Sequence, residues 1–207
     1  MTLPPPRLTS PLDFRCTSCG NCCRNLRVAI TARDLTRLLR ATQRGPGDLV
    51  AFLAPDEVDM TGEPASFIEL GVGRRLMVLA QEQGACRLLG PDDRCGSYEA
   101  RPRDCRAFPF DFGLPRATPG ARRLRLLPLD GCDYAQGGAH QERELRDADA
   151  ERWAELSEYQ AFVARWNRRA YHRRRLGRGV GTAAQFLDYA LGAPAHGAAS
   201  NTGLLGD

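Results

Sequence analysis

Residues 16–23 read CTSCGNCC, so half of this stretch is cysteine in a 207-residue chain that holds only 8 cysteines. Cys16, Cys19 and Cys22 follow a regular three-residue step, and Cys23 stands directly against Cys22. Adjacent cysteines suit a disulfide framework poorly. The two-residue spacers suit metal binding, because the sulfurs of a C-x2-C turn converge on one ion and backbone N–H groups of the turn stabilise their charge. Gly20 falls where such a turn needs backbone freedom. Three cysteines at i, i+3 and i+6 can surround one metal or one face of a cluster. Adjacent side chains usually diverge, so neighbours such as Cys22 and Cys23 rarely bind one small ion together. The pair therefore implies either two neighbouring centres or one ligand beside a structural or reactive thiol.

The remaining cysteines are Cys86, Cys95, Cys105 and Cys132. Eight thiols divide as four plus four, which suits two tetrahedral zinc sites. They also suit one iron–sulfur cluster with spare cysteines. The bacterial ferredoxin run C-x2-C-x2-C-x3-C-P matches the first three cysteines, but Cys23 comes too soon and no proline follows. The local motif therefore does not choose between zinc and iron. Cys132, isolated after Gly131, has the least local support as a ligand.

Composition narrows the class. The chain is 43% hydrophobic and 26% charged, ordinary for a globular protein that buries a real core. No apolar run is long enough to span a bilayer. The N-terminus MTLPPPRLTSPLDF lacks the basic start and apolar core of a secretory signal. A cytoplasmic chain is expected, where thiols stay reduced and cysteine clusters hold metal. All 29 basic residues are arginine, which excludes lysine Schiff-base chemistry and is the bias of GC-rich coding. Eight thiolates with two Zn²⁺ would change the formal charge by −4, bringing the net +4 to about zero.

Outside the cysteines, a Pro-rich irregular arm is expected over residues 1–12 and a disordered Gly/Ala/Ser-rich tail over 193–207. Thr31 and Asp34 form a capping-box pattern ahead of ITARDLTRLLRAT, whose Leu35, Leu38 and Leu39 share one helical face. DLVAFLA reads as a second short helix. ASFIELG and RRLMVLAQ, separated by Gly71-Val72-Gly73, read as a hairpin, and RRLRLLPL as a further strand. From about residue 140 to 176 the apolar positions Leu145, Trp153, Leu156, Tyr159, Val163, Trp166 and Ala170 recur at helical steps. TAAQFLDYAL is a short helix.

FRCTSCGNCCR, together with CRLLGPDDRCGSYEARPRDCRAFPF, resembles the YkgJ-type CxxCxxCC cysteine-cluster family of zinc- or iron-chelating proteins. The family joins an N-terminal CxxCxxCC to a downstream C…C-x-x-Y-x-x-R-P-x-x-C-R-x-F-P block, which residues 95–109 match closely. The resemblance covers roughly residues 14–132 and implies metal binding. Some members resemble flagellin lysine methylases, so an iron–sulfur-dependent protein lysine methyltransferase is the enzyme alternative. A lone Gly71-Val72-Gly73 is weak evidence for a nucleotide loop. No nucleophile–base pair names a substrate.

The expectation is a small single α+β domain organised around a cysteine-ligated metal centre, with a short hairpin or small sheet, several helices and a long amphipathic C-terminal helix. Residues 13–135 would form the metal-binding domain and 136–192 a helical extension packed on its outside. Zinc or iron, as ions or an iron–sulfur cluster, would be held by Cys16, Cys19, Cys22, Cys23, Cys86, Cys95, Cys105 and Cys132. Arg101, Arg103 and Arg106 would offset the negative site and lower nearby thiol pKa values. Tyr98, Phe108 and Pro109 would pack the cluster and exclude water. Asp13, Asp92, Asp93, Asp104 and Asp133 read as turn or surface residues, and His140, His172 and His196 as surface residues. The Arg-rich helix end, RWNRRAYHRRRLGR, reads as a solvated face in preference to a nucleic-acid surface, with a zinc-stabilised adaptor as the third functional class. No membrane partner is expected.

Overall fold

The computed structural model describes residues 10–58, 64–113, 123–128, 131–132 and 135–192. Most of the N-terminal arm, all of the tail, Asp133 and His196 therefore lie outside the described residues. Among the described residues no helix is long and apolar enough to cross a membrane.

The first helix, α1 (Asn21–Asn25), carries Cys22 and Cys23. It begins at Gly20, whose φ of 72° is left-handed and whose missing Cβ leaves room for the Asp93 carbonyl. Helix α2 (Ala32–Thr42) opens on the expected capping box. The Thr31 hydroxyl accepts the Asp34 N–H at 3.1 Å, and the Asp34 carboxylate accepts the Thr31 N–H at 3.0 Å. Leu35 and Leu38 are fully buried beneath it, with Leu39 half-buried beside them.

The stretch expected as a second helix divides. Only α3 (Pro46–Leu49) is helical, and β1 (Val50–Leu53) follows as a strand. An apolar run this short has no decisive periodicity, and pairing decides it. β2 (Ile68–Leu70) and β3 (Gly73–Leu79) form the expected hairpin about Gly71 and Val72. β3 is the central strand of an antiparallel sheet in the order β1-β3-β2, with Val50 opposite Leu79 and Leu53 opposite Leu76. Side chains alternate across it. Val50, Ile68, Leu70, Met77 and Leu79 face the main core, while Leu76 and Val78 face a smaller cluster with Phe67. Residues 28–30 extend the sheet beside β3: Ile30 N–H donates to Met77 at 3.1 Å and Leu79 N–H to Val28 at 2.9 Å.

Two short ribbons follow, β4 (Gln81–Glu82) with β5 (Ala85–Cys86), and β6 (Phe110–Asp111) with β7 (Arg125–Leu126). Helix α4 (Arg103–Ala107) lies between them in sequence. The long helix α5 (Glu142–Arg175) spans 34 residues, about 51 Å at 1.5 Å per residue. Tyr159, Val163 and Ala170 line its buried face. Asn167 accepts the Glu69 N–H at 2.8 Å and donates to the Phe67 carbonyl at 2.9 Å, while the Trp166 indole donates to Glu69 at 2.8 Å. These bonds cover the open edge of β2. Helix α6 (Ala183–Ala190) inserts Phe186, which meets Trp166 edge-on at 5.3 Å and is fully buried. The chain is thus α+β, and residues of α5 and α6 pack in one core cluster with the sheet.

Candidate metal centre

The sheet sets where the cysteines go. Residues 28–30 run along β3, so α1 just before them is brought against β5 just after it. Gln81 ties the two by donating to the Leu26 carbonyl at 3.0 Å. Cys86 ends β5. Leu89 then bridges Cys95, with Leu89 N–H donating to Cys86 at 2.9 Å and Gly96 N–H to Leu88 at 2.8 Å. That turn folds Cys95 back towards Cys86, and an Arg24–Asp93 ion pair holds it to α1. Cys105 sits in α4. Cys86, Cys95 and Cys105 all pack against the main core.

Cys132 arrives from the other side. Residues 135–140 lie alongside residues 12–15 through Arg15 N–H to Ala135 at 2.9 Å, Ala135 N–H to Arg15 at 3.2 Å and Gly138 N–H to Asp13 at 2.9 Å. The Asn21 side-chain amide donates to the Gly131 carbonyl. The approach is so close that a Cβ on Gly138 would overlap the Phe14 carbonyl. The sulfurs of Cys19 and Cys132 consequently lie 3.8 Å apart across 113 positions of sequence.

All eight cysteines are free thiols. The Cys19–Cys132 separation is far beyond a disulfide bond of about 2.05 Å. It equals the sulfur–sulfur distance of about 3.8 Å that a tetrahedral ion with Zn–S bonds of about 2.3 Å sets between its ligands. The donor set therefore fits a thiolate-binding metal. Among the described residues, no three His, Cys, Asp or Glu side chains are already gathered into a metal-holding cage. Electrostatics divide the thiols into two neighbourhoods. Cys132 is raised to about 12, first by burial, then by its bond with Cys19 and the charges of Cys16 and Cys22. Cys86 and Cys105 are raised first by burial and then feel Cys95, Cys22 and, for Cys105, Cys86. Cys22 belongs to both neighbourhoods. Its own value falls to about 6, chiefly because Cys23 hydrogen-bonds to its sulfur, while the same bond raises Cys23.

The surroundings depart from several expectations. Arg103 does not face the thiols. It pairs with Glu151 at 2.9 Å and with buried Glu155, so it cannot lower Cys105, and burial raises that thiol instead. Arg106 donates to the Arg101 carbonyl at 3.0 Å and to the Glu99 carbonyl, bracing the loop before α4. Arg101 adds to the Cys23 and backbone hydrogen bonds that favour the Cys22 thiolate. Pro109 is fully buried and Phe108 half-buried, but Tyr98 is 55% exposed, with the Arg101 guanidinium 3.6 Å over its ring. His140 is half-buried, not a surface residue. Its Nε2 lies 3.0 Å from the Phe14 carbonyl, and its ring meets Phe110 edge-on at 4.7 Å. His172 is exposed as expected. Asp93, Asp104 and Asp92 serve as an ion-pair or turn residue each, to Arg24, Arg152 at 3.0 Å and the Arg94 N–H at 3.2 Å.

Sequence reasoning missed Glu155. Its carboxylate, only 3% exposed, gathers the Thr31 hydroxyl at 2.6 Å, Arg37 at 3.2 Å and Arg103. Asp34, besides capping α2, accepts the Arg103 N–H at 3.0 Å and pairs with Arg37. One buried node thereby joins α2, α4 and α5 behind Cys105. Its partners are distant in sequence, so no local pattern announces it.

The sequence model of the CxxCxxCC family, described as "Putative zinc- or iron-chelating domain", matches residues 15–122, just over half of the 207. No curated protein and no solved structure matches the chain. The chain belongs to the CxxCxxCC family.

Proposed function

We propose that this CxxCxxCC-family chain holds zinc or iron through thiolates from two sequence-distant blocks. Cys16, Cys19 and Cys132 form one neighbourhood, Cys23, Cys86, Cys95 and Cys105 the other, and Cys22 lies between them. The observation that carries the reading is the 3.8 Å approach of Cys19 and Cys132. When bound, the metal supplies folding free energy by cross-linking loops that have little regular structure of their own. The chain's own residues prepare for this. Gly20 turns the first block, Asn21 and Gly138 bring Cys132 to it, and the Glu155 node fixes α4. In this reading residues 13–135 are the metal-binding unit, 136–192 brace it, and the protein works in the reducing cytoplasm.

The test is metal and acid-labile sulfide content of protein purified without oxygen, with its visible spectrum. Colourless protein with about two zinc per chain supports closed tetrahedral sites. Protein devoid of zinc and iron overturns the reading. A second reading is an iron–sulfur centre with one reactive thiol. It draws on Cys22, whose lowered pKa makes it a thiolate at neutral pH. It predicts brown protein containing iron and labile sulfide.

A further inference from the structure

We propose that the last third of α5 is a binding surface for single-stranded nucleic acid. Residues 165–178 contain seven arginines and no acidic residue. All seven arginines are exposed. The first half of the same helix is treated differently. Glu142 pairs with Arg146 at 2.6 Å, Glu151 with Arg103 at 2.9 Å, Glu155 with Arg37 at 3.2 Å and Glu158 with Arg33 at 2.8 Å. Most carboxylates of this acidic half are thus met by arginines of the same chain. Of the seven arginines, only Arg174 meets a carboxylate among the described residues, Glu69 at 3.6 Å. Arg165, Arg169 and Arg175 rest over aromatic rings, and Arg173 donates to the Gly179 carbonyl at 2.9 Å. None of those contacts cancels charge. The helix dipole presents only about half an elementary charge at this end, too little to account for the excess.

The details select the polyanion. Arg168 and Arg175 flank Tyr171 on one face of the helix at the three- and four-residue spacing of neighbours. Tyr171 is 56% exposed, the Arg175 guanidinium lies 5.9 Å from its ring centroid, and a shallow groove lined by Pro64, Ala65, Asn167 and Arg168 opens beside the ring. Guanidinium groups match phosphate oxygens bidentately. An exposed aromatic ring offers a stacking face to an unpaired base, and duplexes present none. A membrane surface fits less well. The apolar face of α5, with Tyr159, Val163 and Ala170, is already buried in the core and leaves nothing to insert between lipids. The surface is also separate from the thiols. Arg152, which pairs with Asp104 beside Cys105, lies sixteen positions before Arg168, about 24 Å along the helix.

The experiment is fluorescence anisotropy of the full chain, as purified, with a fluorescein-labelled oligouridylate over a range of salt. Binding is expected to weaken on a log–log plot with a slope of about −0.7 per phosphate neutralised. Arg168→Glu should cost about tenfold and flatten that slope by about 0.7. Tyr171→Ala should cost about tenfold at unchanged slope, because stacking is not ionic. Arg40→Glu makes the same charge change at an exposed site on α2 and should stay within about twofold of wild type. Melting curves identify any variant that has lost its fold. Absence of salt-sensitive binding overturns the proposal. So does an Arg40→Glu loss equal to that of Arg168→Glu, or preference for phosphatidylserine vesicles with no effect of Tyr171→Ala.

Discussion

Cys22 and Cys23 are chemically identical, and one hydrogen bond between them makes them titrate apart. The proton shared by the pair leaves one sulfur charged near pH 6 and holds the other neutral well above that. The sign follows directly: Cys22 is thiolate above about pH 6 and thiol below it. In chelated, reduced protein at pH 7, iodoacetamide should therefore modify Cys22 ahead of Cys132 and Cys105, whose thiols burial keeps protonated. The advantage of Cys22 should fade as pH falls below 6, read by peptide mass mapping. Equal rates at pH 7 would contradict the assignment. Gly138 makes a second prediction at this scale. Gly138→Ala forces residues 135–140 away from Phe14, and overpacking of this kind costs about 1–3 kcal/mol. The variant should melt lower and lose the metal held with Cys132, while Gly47→Ala, with open space around its Cβ and no left-handed φ, should keep that metal.

Among elements, the junction of α2, α4 and α5 turns on Glu155. Burial opposes its charge, but hydrogen bonds from Arg37, Thr31 and Arg103 outweigh that and hold its pKa below the usual carboxylate value. Glu155→Ala leaves Arg37 with Asp34 and Arg103 with Glu151 as their remaining carboxylates, and the loss of its charged hydrogen bonds should cost about 2 kcal/mol in a thermal or denaturant melt. A group with a depressed folded pKa stabilises above its unfolded value, about 4.3 for glutamate, and the contribution is lost as pH falls through the folded value. The gap in melting temperature between wild type and Glu155→Gln should accordingly narrow below about pH 4.3. A gap constant with pH would mean that Glu155 acts by shape alone. The α2 cap was legible beforehand because Thr31 and Asp34 are three residues apart, and α5 because its apolar residues recur at helical steps. Glu155 was not, since it meets Thr31 across 124 positions and Arg103 across 52. β1 was misread because four apolar residues suit either a helix or a strand until β3 pairs with them.

Across the whole molecule, the cysteine blocks are legible as residues and their meeting is not. Spacing marks Cys16, Cys19, Cys22 and Cys23 as a unit, but nothing local places Cys132 beside Cys19. That follows from Gly138 and the paired run of residues 12–15 with 135–140. The main core of sheet, α2, α5 and α6 stands apart from this loop pairing. A strong chelator should therefore lower the melting temperature by about 10 °C while leaving most helical circular dichroism in place at low temperature. An unchanged melt would remove the structural role of the metal. The central claim, that thiolates from both blocks hold the metal, is tested most directly by X-ray absorption at the metal edge of protein purified without oxygen. The expected result is a sulfur-only first shell at about 2.3 Å, diminished in Cys132→Ser. A first shell of oxygen or nitrogen, or one untouched by Cys132→Ser, would contradict it.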